Sequence, residues 1–128
     1  YSGKHRKELS GFRKIVWAGR IRTRDDLDAM GAPVDDELFL LDAYSENAFG
    51  GTGVAFNWEI LSGFPHIGRS IVAGGINENN VVYLARNVRP FGVDVSSGIE
   101  EAPGVKSMEK MRTFMKNLQE ALRHEGNA

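Results

Sequence analysis

The chain contains no cysteine. That excludes disulfides and thiolate metal sites and fits a reducing compartment. No apolar run approaches the roughly 18 residues of a membrane span. The N-terminus is charged and lacks the apolar segment of a signal peptide, so the expected location is cytoplasmic, with no membrane partner. Histidine is sparse. His5, His66 and His124 stand far apart without ligand spacing, so no transition-metal site is expected. Neither sign of charge dominates: a formal net charge of −1 argues against a general polyanion binder. The Walker pattern G-x-x-x-x-G-K-[ST] is absent, as is a G-x-G-x-x-G fingerprint after the first strand-like run. No Ser/His/Asp arrangement is evident either.

What is present is ordinary in amount and uneven in distribution. With 128 residues, 41% hydrophobic and 26% charged, the chain has the composition of a single soluble globular domain. Lys4, Arg6, Lys7, Arg13, Lys14, Arg20, Arg22 and Arg24 crowd one stretch against a single acid, Glu8. No aromatics interleave this stretch as base-stacking platforms would, so it reads as a solvated face or a surface for an anion or a protein, not as a nucleic-acid site.

Four short apolar runs organise the chain: KIVWAGRI (14–21), LFLLDAY (38–44), SIVAGGI (70–76) and FGVDVSSG (91–98). Most are apolar on successive positions, the mark of strands covered on both faces in a parallel sheet. A helical pattern follows each. TRDDLDAM begins with a candidate N-cap, Thr23, with Asp26 three residues on. VAFNWEIL ends at Gly63. NENNVVYLARNV is capped by Asn77, carries the stripe Val81, Leu84, Ala85, Val88, and ends before Pro90. In SMEKMRTFMKNLQEALR, Met108, Met111, Met115, Leu118 and Leu122 recur at helical spacing and read as a core face. A further helical stretch, HRKELSGFR, precedes the first strand.

Repeated βα units predict a parallel sheet with helices outside. The choice lies between an open doubly wound sheet and a (β/α)8 barrel. The small residues decide it. GGTG (50–53), Gly74–Gly75 and Ser96–Ser97–Gly98 follow the carboxyl ends of successive strands and so share one rim, which carries the active site of a barrel and its phosphate. Four strands cannot close a barrel of about 250 residues. The expectation is therefore a half-barrel that pairs with a further segment or with itself.

Asp42 ends an apolar strand, where a partly buried carboxylate suits a general acid; capping of the following loop is the competing role. Asp94 lies in a strand among apolar residues and reads as buried, so it needs a partner: a ligand hydroxyl or amine, or a neighbouring backbone group or Ser. Gly74, Gly75, Ser96, Ser97 and Gly98 can present donors to phosphate oxygens, or serve tight βα turns alone. Gly51 and Gly53 belong to a glycine-rich loop that can cradle a phosphate or serve as a flexible turn.

Three motifs, LLDAYSENAFGGTGVAFNW, IVAGGINENNV and FGVDVSSGIEEAPGVKSMEKM, in this order and spacing, resemble the strand-end motifs of the phosphoribosylanthranilate isomerase family. The resemblance covers about Lys14 to the end of the last helix. It implies a (β/α)8 barrel of which residues 1–128 supply roughly strands five to eight, as one C-terminal segment. It implies an Amadori rearrangement of N-(5-phosphoribosyl)anthranilate in tryptophan biosynthesis, with no cofactor and no metal. Asp42 falls on the family's general acid. Gly75, Ser96, Ser97 and Gly98 fall on the phosphate turns, Asp94 next to the substrate, and the GGTG loop near the phosphate end. The family's general base is a cysteine at the end of the first strand, which this chain lacks. The resemblance therefore implies an N-terminal half-barrel as partner and negligible activity for the 128 residues alone. Asn57 and Glu78 replace an Asp and a Pro of the family pattern. A homodimer is possible on this reading. A self-associating, non-catalytic phosphate binder and a different phosphate-binding barrel enzyme are the competing functions.

Overall fold

The computed structural model describes residues 8, 9, 11–43 and 58–126, the last three by their backbone only. All four apolar runs form strands: β1 (Val16–Arg20), β2 (Leu38–Asp42), β3 (Ser70–Ala73) and β4 (Gly92–Asp94). They pair in parallel in the order β1-β2-β3-β4. The order follows the chain with no reversal. A doubly wound sheet changes direction at a switch point; these four strands step one way only, as in a barrel wall.

Side chains alternate across the sheet, and the two faces differ. Phe39, Leu41, Ser70 and Val72 point to the covered face and are buried. There they join Ile21, Leu27, Met30, Leu61, Phe64, Val81, Leu84 and Phe114 in one core. The opposite face carries Val16, Ala18, Leu38, Leu40, Ile71 and Ala73, which are half-buried or exposed. It is largely apolar, yet Val16 is 49% exposed. That pattern is unusual for a strand read as covered on both sides.

Helix α1 (Arg24–Met30) starts as its sequence demands. Thr23 accepts from the Asp26 N–H, and the Asp26 carboxylate accepts from Thr23 N at 2.9 Å. The two form a reciprocal cap. The helix lies close on β1: a Cβ on Gly19 would stand 2.5 Å from the Met30 sulfur. Of the second helical pattern, Trp58–Leu61 forms a 3-10 turn, and Gly63 follows at φ +77°. The Trp58 ring stacks on Tyr83 at 6.0 Å. Helix α2 (Val81–Tyr83) continues as a π-turn over Leu84–Val88 and stops at Arg89 in the left-handed conformation. Its stripe Val81, Leu84, Ala85, Val88 is buried as expected.

Three expectations are corrected. The long last helix, α3 (Met108–Gly126), forms, but Met108, Met115 and Leu122 are about half exposed or more. The buried side of α3 runs through Phe114 and Ala121, flanked by Leu118. The methionines drew attention by recurrence; the packing selected the bulky aromatic and the small alanine that lets the helix approach. Second, Glu8, Leu9 and Gly11–Arg13, the described part of the stretch before β1, form turns, closed by Phe12 N on Leu9 O at 3.1 Å. Gly11 disfavours helix there. Third, the segment after β4 contains an antiparallel hairpin, β5 (Glu100–Ala102) and β6 (Val105–Lys106), that the strand count missed. Pro103-Gly104 is its turn signal, with Gly104 at φ +78°.

Candidate active site

Because the strands are in register, residues at their carboxyl ends fall into one row. Arg20 pairs with Asp42, Asp42 with Ala73, and Ala73 with Asp94. Parallel partners point to the same face, so this row crosses the top of the less covered face. Neighbouring strands stand about 4.8 Å apart, so Asp42 and Asp94 lie about 10 Å apart at their Cα atoms.

Directly above this row is a cavity of about 240 Å³ lined by Asp42, Ala73, Gly74, Gly75, Ile76, Asp94, Ser96, Ser97 and Gly98. Seven of the nine residues singled out from the sequence therefore meet at one place. The other two, Gly51 and Gly53, lie outside the described residues. Asp42 is half-buried at the mouth. Asp94 is a correction: it is exposed, not buried among its apolar neighbours. Alternation places it on the less covered face, so it needs no protein partner.

Two turns build the floor. In the first, Gly74 and Gly75 take φ of +97° and +68°, a region open to glycine at no steric cost. Asn77 and Asn80 then clasp each other. The Asn77 carboxamide oxygen accepts from Asn80 N at 3.2 Å, and that of Asn80 accepts from Asn77 N at 2.8 Å. The expected cap at Asn77 thus closes the turn 77–80, while the helix proper begins after Asn80. Asn80 also donates through Nδ2 to Gly75 O at 2.8 Å. From α3, Asn117 donates to Glu78 O at 2.7 Å, so the Pro-to-Glu change leaves a used backbone carbonyl in place.

The second turn is Ser96–Gly98. Gly98 lies against the first turn, where a Cβ would stand 2.8 Å from the Ile76 carbonyl carbon. Behind it, Lys106 donates to Ser96 O at 2.9 Å and to Glu100 Oε2 at 3.2 Å. The Glu100 carboxyl is held below its ordinary value, chiefly by the Gly104 N–H and then by Lys106. Lys110 donates to Glu100 O at 2.8 Å.

Among the described residues, the N–H groups of Gly75, Ile76, Ser97 and Gly98 enter no protein hydrogen bond. Four such donors around one cavity can hold an anion. Among the described residues, no three His, Asp or Glu side chains gather as metal ligands, and no helix is long and apolar enough to cross a membrane. The sequence analysis missed Arg20, Asn80 and Lys106. Arg20 was legible only as part of a basic stretch; its place beside Asp42 follows from strand register. Asn80 and Lys106 act through backbone carbonyls, which have no sequence signature.

A one-way parallel α/β sheet with a glycine-lined cavity at its strand carboxyl ends puts the chain in the barrel-related α/β class, with a site suited to a small anionic ligand. Residues 5–117 match the family described as N-(5'phosphoribosyl)anthranilate (PRA) isomerase, and the chain belongs to that family. It is similar to the N-(5'-phosphoribosyl)anthranilate isomerases of Pelobacter propionicus (43% identity, covering 84% of this chain and 51% of the relative) and Trichlorobacter lovleyi (46%, covering 85% and 53%). Among solved structures it is similar to monomers of the dimeric phosphoribosylanthranilate isomerase of Thermotoga maritima, with a TM-score of 0.67 and 28% identity over 89% of this chain and 53% of that one. The chain thus spans about half the length of the relatives it matches.

Proposed function

We propose that this chain carries the acid and phosphate portion of a phosphoribosylanthranilate isomerase site. The observation that carries the reading is the meeting of Asp42 with the two glycine turns around one cavity. In this reading the chain is one segment, residues 1–128, supplying strands five to eight of a (β/α)8 barrel. Three facts support it: strands that step one way, an apolar sheet face left partly exposed, and a length about half that of the relatives. The other strands would cover the exposed face and supply the general base, since no cysteine is present here.

The substrate's phosphate sits on the N–H groups of Gly75, Ile76, Ser97 and Gly98, with the hydroxyls of Ser96 and Ser97 and the backbone at Gly74 beside them. Gly51 and Gly53, which lie outside the described residues, are further substrate-binding residues in this reading. Asp42 protonates the furanose ring oxygen, and the ring opens to a Schiff base. A base from the other half then removes the C2 proton, and the enolamine tautomerises to the 1-deoxyribulose phosphate. Asp94 contacts the substrate from the far side of the row. Charge is shuttled only between carboxyl, base and substrate, so no cofactor or metal enters. The protein works in the cytoplasm.

The test uses the complete polypeptide that carries this chain, with N-(5-phosphoribosyl)anthranilate as substrate and product followed by NMR. Asp42→Asn lowers kcat by about 10²–10⁴-fold, the usual worth of a general acid. Binding of a phosphorylated product analogue stays within about threefold, because that affinity is not specific to the transition state. Unchanged turnover removes Asp42 from the mechanism.

A further inference from the structure

The phosphate turns differ in what holds them from behind. At Gly75 the backbone carbonyl is held by a neutral carboxamide, Asn80 Nδ2 at 2.8 Å. At Ser96 it accepts from the Ile99 N–H at 3.3 Å within its own turn and, from outside the turn, from a cation, Lys106 Nζ at 2.9 Å. Lys106 does not line the cavity, so it approaches the turn from the outer side. We propose that Lys106 is a positioning residue for the anion: its ammonium fixes and polarises the Ser96–Ser97 peptide, so that the Ser97 N–H is aimed at the ligand and strengthened as a donor. This rests on the phosphate site proposed above.

The physical reasons are two. A trans peptide is planar, and its C=O and N–H point in opposite directions. Tying the Ser96 oxygen to a group behind the turn therefore aims the Ser97 N–H away from that group. Second, hydrogen bonds in a chain polarise one another. A cationic donor on the carbonyl draws electron density through the amide and makes its N–H more acidic. Direct attraction between ammonium and phosphate is the weaker effect, because the Lys106 side chain is 43% exposed and water and salt screen it.

The surroundings aim the ammonium. Glu100 Oε2 holds Lys106 at 3.2 Å, and Glu100 is fixed in turn by the Gly104 N–H at Oε1 and by Lys110 at its carbonyl. The hairpin β5–β6 thus serves to return Lys106 to the turn that precedes it. Its register, Glu100 opposite Lys106, sets that return. An Asn117-type tether from α3 could have held the turn without charge, as it does at Glu78; a cation is used where a ligand anion is expected.

The test compares inorganic phosphate affinity by calorimetry, and KM against kcat, for the complete polypeptide and three variants. Lys106→Gln keeps a donor but loses the charge; phosphate affinity falls about tenfold and KM rises in step, while kcat stays within about threefold. Lys106→Arg restores most of the affinity. Glu100→Gln loses the ion pair that aims the ammonium but keeps the ammonium and a neutral acceptor for it, so affinity falls by about threefold, less than in Lys106→Gln. Equal losses in Lys106→Gln and Glu100→Gln, or no loss in Lys106→Gln, overturn the proposal. If Lys106→Gln does not fold, Lys106→Met replaces it; failure of both places Lys106 in the scaffold and overturns the proposal too. Absence of phosphate binding by the parent protein instead removes the phosphate site itself.

Discussion

Gly98 lies so close to the carbonyl of Ile76 that a Cβ at this position would overlap the oxygen and stand 2.8 Å from the carbon. The two turns of the proposed phosphate site are therefore packed backbone to backbone. Gly98→Ala forces them apart. Since the neighbour is main chain and not a flexible side-chain tip, the cost is at the upper end of overpacking, about 3 kcal/mol. Thermal unfolding reads the loss, and phosphate affinity should fall with it. A variant with unchanged melting and affinity would show that the turns do not touch in solution.

Asn80 does two tasks at once, and two substitutions separate them. Asn80→Asp keeps an acceptor for Asn77 N but loses the donor to Gly75 O. Asn80→Ala loses both. Removing a part-buried side chain that ties a turn through two hydrogen bonds costs about 1–2 kcal/mol. We expect Asn80→Ala to lower stability by about that amount and Asn80→Asp by less. Both should weaken phosphate binding, and Asp more than its stability loss suggests, because it adds a negative charge beside the anion. Denaturant melts and phosphate titration together check this.

The face of α3 that meets the core is testable by one neighbouring pair. Phe114 is 4% exposed and Met115 49%. Phe114→Ala should cost about 3–5 kcal/mol, and Met115→Ala should stay within about 0.5 kcal/mol in the 128-residue chain. Equal effects would return the methionine stripe to the core.

Acid should destabilise the fold through two carboxylates. Asp26 is held below its ordinary value of 3.8, first by the Arg22 N–H and then by the Thr23 N–H. Glu100 is held below 4.5 by the Gly104 N–H and then Lys106. In both cases the folded state prefers the ionised form. Their contribution is therefore fully present above the unfolded value and is lost as pH falls through the lowered folded value. Melting temperature should decline as pH drops from about 5 toward 3. Asp26→Asn should flatten part of that slope, and an unchanged slope would remove Asp26 from it.

Much of this protein was legible in its residues. The four strands were visible because continuous apolar runs bounded by Gly, Pro and Asn suit few other states. Thr23 was visible as a cap because its reciprocal partner Asp26 lies three residues away. Asp42, Gly74, Gly75 and Ser96–Gly98 were visible because strand carboxyl ends share a rim in any one-way parallel sheet. All of these depend on neighbours in sequence, or on a rule that holds for the whole fold.

Other features depend on distant contacts and only the tertiary structure decided them. A heptad-like recurrence cannot say which stripe of α3 faces inward; the fit of Phe114 and Ala121 against the core does. Alternation alone cannot tell a covered face from an exposed one, so Asp94 read as buried. Arg20 reached Asp42 through register, Gly98 met Ile76 across two turns, and Lys106 reached Ser96 through a hairpin. Local pattern fixes what each segment becomes, because its backbone bonds and apolar period are short-range. Which segments touch is set by packing over the whole sheet, and the site is made of those contacts.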